Sequence, residues 1–136
     1  MMEARDIAIR TAHALIGTPY KWGGSNPVEG FDCSGLIIWI LQEAKILGMG
    51  FDTTAHGLLN RYPYARDPGR GILAFRMNSL RRASHVGICI DSESVIEAGG
   101  GGRNILTYED AIRNRAFVRI REIWGNAVFA DPFHEG

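Results

Sequence analysis

The chain has 136 residues, 46% of them hydrophobic and 22% charged, which is enough apolar material for one buried core and too little sequence for two. Its 15 basic side chains cancel its 15 acidic ones, leaving no net field to draw in nucleic acid or an anionic membrane. The longest apolar run, Leu36 to Leu41, falls far short of the roughly 20 residues that span a bilayer, so one soluble domain over residues 1–136 is expected, without membrane insertion.

From the N-terminus, Ile7, Ala8, Ala12, Leu15 and Ile16 recur at helical spacing, which predicts an amphipathic helix from Ala4 to Ile16, stopped by Gly17-Thr18-Pro19. Tyr20 to Gly30 is rich in glycine and holds Pro27, a composition that predicts a shaped loop without regular structure. Tyr20 and Trp22 are large side chains to carry on a mere connector, and such loops often bear function.

Asp32 is a good N-cap, and the apolar run behind it predicts a helix buried on every side. A buried strand is the alternative, since β-branched and aromatic residues are present; Asp32 and the Gln42-Glu43-Ala44-Lys45 exit favour helix. Gly48 to Gly50 should break that element. Thr53 or Thr54 would then cap a short helix to about Asn60, in which His56 has no partner recognisable from sequence. Tyr62 to Gly71 reads as loop. Beyond it lie predicted strands at Ile72–Arg76, His85–Asp91, Ser94–Ala98 and Phe117–Ile123, and a helix at Tyr108–Asn114 capped by Thr107. Gly99 to Gly102 lacks the spacing and the βαβ setting of a dinucleotide-binding loop. Helices first and strands after give an α+β class.

Three residues could carry chemistry. Cys33 stands at the first turn of the buried helix, where unpaired N–H groups and the helix dipole would favour its thiolate; the plainer alternative is a small buried hydrophobe. Gly35 would let a substrate backbone come close. His85 opens a strand whose alternation puts His85, Gly87, Cys89 and Asp91 on one face; it is the candidate base, the alternative being a polar residue at a strand end. Glu97 is the candidate to orient the imidazole. A hairpin pairing Cys89 with Glu97 through a three-residue loop would put Glu97 on the face of His85, whereas a two-residue loop would turn it away; an exposed strand glutamate is the alternative. Cys89 is expected to pack in the core or line the site. The two cysteines, far apart and in unlike contexts, suggest neither a disulfide framework nor a metal site, and no cofactor is expected.

Pro19-Tyr20-Lys21-Trp22-Gly23-Gly24, Phe31-Asp32-Cys33-Ser34-Gly35-Leu36 and Ser84-His85-Val86-Gly87-Ile88, in this order, resemble the NlpC family of papain-like cell-wall peptidases over about Gly17 to Ala98. The resemblance implies a papain-like α+β fold, with a central helix bearing the nucleophile Cys33 packed on an antiparallel sheet that carries the base His85. It also implies a thiol endopeptidase cutting murein stem peptides between D-glutamate and diaminopimelate or lysine. Tyr20, Trp22, Asp32, Ser34 and Gly35 would then contact substrate, Asp32 and Ser34 holding the free amine of the first alanine. The Cys33 N–H, helped by the Tyr20 hydroxyl, would form the oxyanion hole.

Two departures from the family stand out. Glu97 occupies the position most often held by a third catalytic histidine, and the family's Pro-Gly-Asp-Leu lead-in to a strand reads Arg70-Gly71-Ile72-Leu73. With acid early and no apolar stretch after it, the N-terminus does not read as a secretory signal, and no wall-binding repeat is recognisable. The expectation is therefore a protein made in the cytoplasm and acting at the cell wall as a phage-tail-associated hydrolase, with stem peptides as substrate and tail proteins as partners. A non-catalytic tail or binding module with the same fold is the competing class, and a thiol amidase or acyltransferase on another acyl group is a third.

Overall fold

A computed structural model describes residues 2–134. Its elements run α1 (Ala4–Ala14), β1 (Ser25–Asn26), β2 (Gly30–Phe31), α2 (Cys33–Glu43), α3 (Ala55–Arg61), β3 (Tyr64–Ala65), β4 (Leu73–Met77), β5 (Ala83–Cys89), β6 (Ser94–Gly99), α4 (Tyr108–Asn114), β7 (Phe117–Glu122) and β8 (Val128–Ala130). Helices pack on an antiparallel sheet, the α+β arrangement expected. No helix among the described residues is long and apolar enough to cross a membrane.

The sheet has the order β3-β8-β4-β5-β6-β7. Strands β4 to β7 form a meander interrupted only by α4, and β8 returns to the free edge of β4. Alternation then divides the apolar residues between two faces. Phe75, Val86, Ile88 and Ile96 join the helices in the main core, while Ala74, Cys89 and Val95 meet Trp124 on the opposite face.

Helix α2 is the centre of that core, with Leu36, Ile37, Ile40 and Leu41 fully buried. Burying each such side chain stabilises the fold by roughly 1.5–3 kcal/mol. Asp32 caps its start by accepting the Gly35 N–H at 2.7 Å. Its end comes earlier than the glycines at 48–50 suggest. Lys45 turns to φ 62, and the Lys45 and Ile46 N–H groups donate to the Gln42 and Leu41 carbonyls, which closes the helix in a Schellman motif without glycine. Thr54 caps α3 through the Gly57 N–H, and Thr107 caps α4 in a reciprocal capping box with Asp110.

Several expectations require correction. The segment from Tyr20 to Gly30 is not wholly irregular: Ser25-Asn26 pairs with Gly30-Phe31, closed by the Asn26 Oδ1, which accepts the Val28 and Glu29 N–H groups. Within Tyr62 to Gly71, Tyr64-Ala65 pairs with β8, and β8 itself was not predicted. Cys89 pairs with Val95 rather than with Glu97. Ile90 donates to the Ser94 carbonyl, so the turn holds Asp91, Ser92 and Glu93; the loop length is as expected but placed one residue earlier. Because the resulting displacement across the pair is two residues, Glu97 keeps its parity and its face. The altered lead-in to β4 is anchored by Arg70, which binds Asp6 of α1 at 2.6 Å, and by Gly71, which at φ +88 donates to the Cys89 carbonyl at 2.8 Å.

Candidate active site

The start of α2, the loop before it and the segment from Met49 to Ala55 enclose a groove of about 680 Å³, a size that suits a small ligand or peptide. Tyr20, Trp22, Asp32, Cys33, Ser34 and Gly35 all line it, facing Trp39, Phe51 and Asp52. Its charged lining residues are Asp32 and Asp52, and no Lys, Arg or His is among them.

Asp32 Oδ1 accepts the Ser34 hydroxyl at 3.4 Å besides its cap bond to Gly35. Burial raises the Asp32 carboxyl above its ordinary range, against the lowering bonds from Gly35, Ser34 and Gly23, while Asp52 adds a further upward push. A Cβ on Gly35 would meet the Gly24 carbonyl and would lie 2.9 Å from Asp32 Oδ1. The bare backbone at Gly35 therefore makes room for the chain's own loop at Gly24.

Cys33 is half-buried. Burial, and after it the Asp32 charge, push its thiol up to about 11, while the N–H groups of Val86, Ser34 and Cys33 itself pull it down. The helix start does favour the anion, as expected, but desolvation outweighs it. The resting group is a thiol.

Tyr20 is 5% exposed. Burial, then the neighbouring Cys33 and Asp32, raise its phenol, so the hydroxyl remains a donor. A Cβ on Gly101 would fall 2.6 Å from the Tyr20 Cγ, which seats the glycine run directly on this ring. Trp22 is 47% exposed at the groove rim, with the Arg103 guanidinium 6.0 Å from its ring centroid.

His85 and Glu97 form a buried pair outside the lining of the groove. His85 Nε2 lies 2.6 Å from Glu97 Oε1, and the edge of the His85–Trp124 contact closes the ring in at 5.2 Å between centroids. Burial raises the Glu97 carboxyl, but the bonds and charges of His85 and Arg119 prevail and bring it below its ordinary range. An ionised Glu97 can only accept, so the hydrogen of this contact sits on Nε2, and it is the neutral form of the ring that would carry its lone pair on Nδ1. The His85 hydrogen bond runs to Glu97 and not to Cys33; the link between the two sets is Val86, the residue after His85, whose N–H faces the Cys33 sulfur.

A bulge brings His85 to this position. Arg76 opposes His85 and Met77 opposes Ala83, so Ser84 is the extra residue. Its hydroxyl donates to the Arg76 carbonyl at 3.2 Å, and the Ala83 N–H donates to His56 Nδ1 at 2.9 Å. The Cys33 thiol thus meets N–H groups of α2 and of β5, the strand that also bears His85.

The model of the NlpC/P60 family matches residues 17–122. The chain belongs to the NlpC/P60 family. Among its relatives, the probable peptidoglycan endopeptidase LytE of Bacillus subtilis is 37% identical over 97 residues, which are 71% of this chain and 28% of LytE. This chain spans less than half the length of the curated relatives it matches first. The peptidoglycan hydrolase RipB of Mycobacterium tuberculosis shares the fold, with a TM-score of 0.72 at 20% identity over 97% of this chain and 66% of that one. RipD of Mycobacterium tuberculosis, a non-catalytic NlpC/P60 domain protein adapted to peptidoglycan binding, aligns with a TM-score of 0.68 at 17% identity over 96% of this chain and 98% of that one.

Within this NlpC/P60 frame, sequence reasoning missed Arg119 and Asp52, and left His56 without the Ala83 partner that the fold supplies. Arg119 carries a local signal only in hindsight: it faces Glu97 once the β6–β7 register is known. Among the described residues no group of three or more His, Cys, Asp or Glu converges as metal ligands would.

Proposed function

We propose that this chain is a thiol endopeptidase that cuts murein stem peptides at the bond between D-glutamate and diaminopimelate or lysine. The observation that carries the reading is the His85–Glu97 contact, which occupies Nε2 and leaves Nδ1 without that partner, one residue along the strand from the backbone N–H that meets Cys33. His85 Nδ1 takes the Cys33 proton as the sulfur attacks the carbonyl, and the Cys33 N–H with the Tyr20 hydroxyl receives the oxyanion. The imidazolium returns the proton to the leaving amine, leaving an acyl-enzyme. Water, deprotonated by His85, then releases the product and restores the thiol.

The groove supports a substrate with a free ammonium group, because Asp32 and Asp52 are its charged side chains and Ser34 adds a polar contact. The names of relatives such as LytE and RipB agree with a cell-wall substrate. Soluble muropeptides incubated with the protein and with Cys33→Ala, their products read by mass spectrometry, test the reading. A Cys33-dependent Ala-Glu fragment is expected. No product from a folded protein would overturn the reading, and alkylation of Cys33 would then separate a thiol enzyme acting on another acyl group, which reacts, from the binding role that RipD exemplifies, which does not.

A further inference from the structure

Glu97 has two carboxylate oxygens and two partners. Oε1 receives the His85 Nε2–H at 2.6 Å, and Oε2 receives the Arg119 Nε–H at 2.9 Å. The Glu97 side chain is 1% exposed and that of Arg119 42%, so the pair spans from the site to solvent. Glu97 and Arg119 are direct cross-strand partners on β6 and β7. A Cβ on Gly99 would lie 2.8 Å from the Glu97 Cδ and 2.9 Å from an Arg119 nitrogen; the bare backbone there leaves room for both side chains.

We infer that Arg119 is a positioning residue for His85: it balances the charge of Glu97, so that Glu97 orients the imidazole without holding a second proton on it. The inference rests on the proposed role of His85 as base. A lone buried carboxylate at hydrogen-bonding distance favours the imidazolium, and an imidazolium cannot accept the Cys33 proton. Glu97 and Arg119 together carry no net charge. They stand where the family pattern most often has a single histidine, and supply the same direction of hydrogen bonding through two residues.

Other charged or titratable groups surround His85 without bonding to Glu97. Arg76 of β4 opposes His85 in register and is exposed. Arg121 of β7 stacks 5.3 Å over Trp124, which in turn contacts His85. Cys33 of α2 approaches through Val86, and His56 of α3 holds the Ala83 N–H. Arg119 is the cation that reaches Glu97 directly.

The test is the protonation midpoint of the His85 imidazole, followed by NMR in a Cys33→Ala background, for Glu97→Gln, Arg119→Gln and the double variant. Arg119→Gln should move the midpoint up by about one pH unit, Glu97→Gln should move it down, and the double variant should return it close to the starting value. In the Cys33-containing proteins the acid limb of kcat/KM on muropeptides should move the same way, and Arg119→Lys should rescue it. A merely structural Arg119 would lower the melting temperature and leave the midpoint in place, which would overturn the inference. The NMR measurement needs no turnover: absent cleavage would sink the proposed activity alone, whereas an unmoved midpoint would sink the role of Arg119 alone.

Discussion

Asp32 holds the first turn of α2 through the Gly35 N–H at 2.7 Å and, one residue before Cys33, works against the ionisation of that thiol. The same carboxylate thus builds the helix terminus and opposes its effect on the sulfur.

With the thiol up at about 11, the thiolate fraction grows about tenfold per pH unit throughout the neutral range. Alkylation of Cys33 by iodoacetamide should therefore rise about tenfold per unit from pH 7 to pH 9 without levelling. Asp32→Asn removes the charge and should accelerate the reaction several-fold at pH 8. A plateau below pH 8 in the unaltered protein would contradict the burial argument.

The cap and the charge of Asp32 are separable. Asp32→Asn keeps an oxygen for the Gly35 N–H and should melt near the unaltered protein. Asp32→Ala should lose about 1 kcal/mol in urea unfolding. Equal losses in both variants would mean that the charge, and not the cap, stabilises α2.

Glu97 is held below its ordinary range, so the folded state binds its proton less tightly than the unfolded one. The sign follows: its contribution to stability is present above the unfolded value of about 4.3 and is lost as pH falls through the lower folded value. Glu97→Gln should cost about 3 kcal/mol near pH 7, the loss expected on breaking a buried pair. That gap should shrink below about pH 4. Denaturation at a series of pH values measures it, and a gap independent of pH would refute the ion pair as its source.

Gly35→Ala would press a methyl group onto the Gly24 carbonyl and Asp32, costing about 1–3 kcal/mol as overpacking. Gly48→Ala meets nothing within 4 Å and should leave the unfolding midpoint unchanged. Similar losses at the two positions would mean that glycine content, and not the contact with the Gly24 carbonyl, sets stability here.

Legibility in the sequence followed the range of the interactions. Helix α4 matches its predicted limits because Thr107 and Asp110 close a box within one turn, and α2 starts where Asp32 says it must. Strands β1, β2, β3 and β8, of two or three residues, are too short to show a period of two and exist through their partners. The candidate site divides in the same way. Tyr20, Asp32, Cys33 and His85 lie in local motifs, whereas Arg119 reaches across 22 positions to Glu97 and His56 meets Ala83 across 27, contacts that only the folded register creates.

The bare backbone at Gly99 also ties three positions together. A side chain at 99 would meet the Glu97 carboxylate and the Arg119 guanidinium, and would have to push both of these side-chain ends aside. Each of the three is therefore conditional on the others. Loss of the pair would relax position 99, while any substitution at 99 made first would damage the pair. Laboratory evolution of this chain should therefore find position 99 closed to change in the present background, and open after Glu97 and Arg119 have both been replaced by small residues.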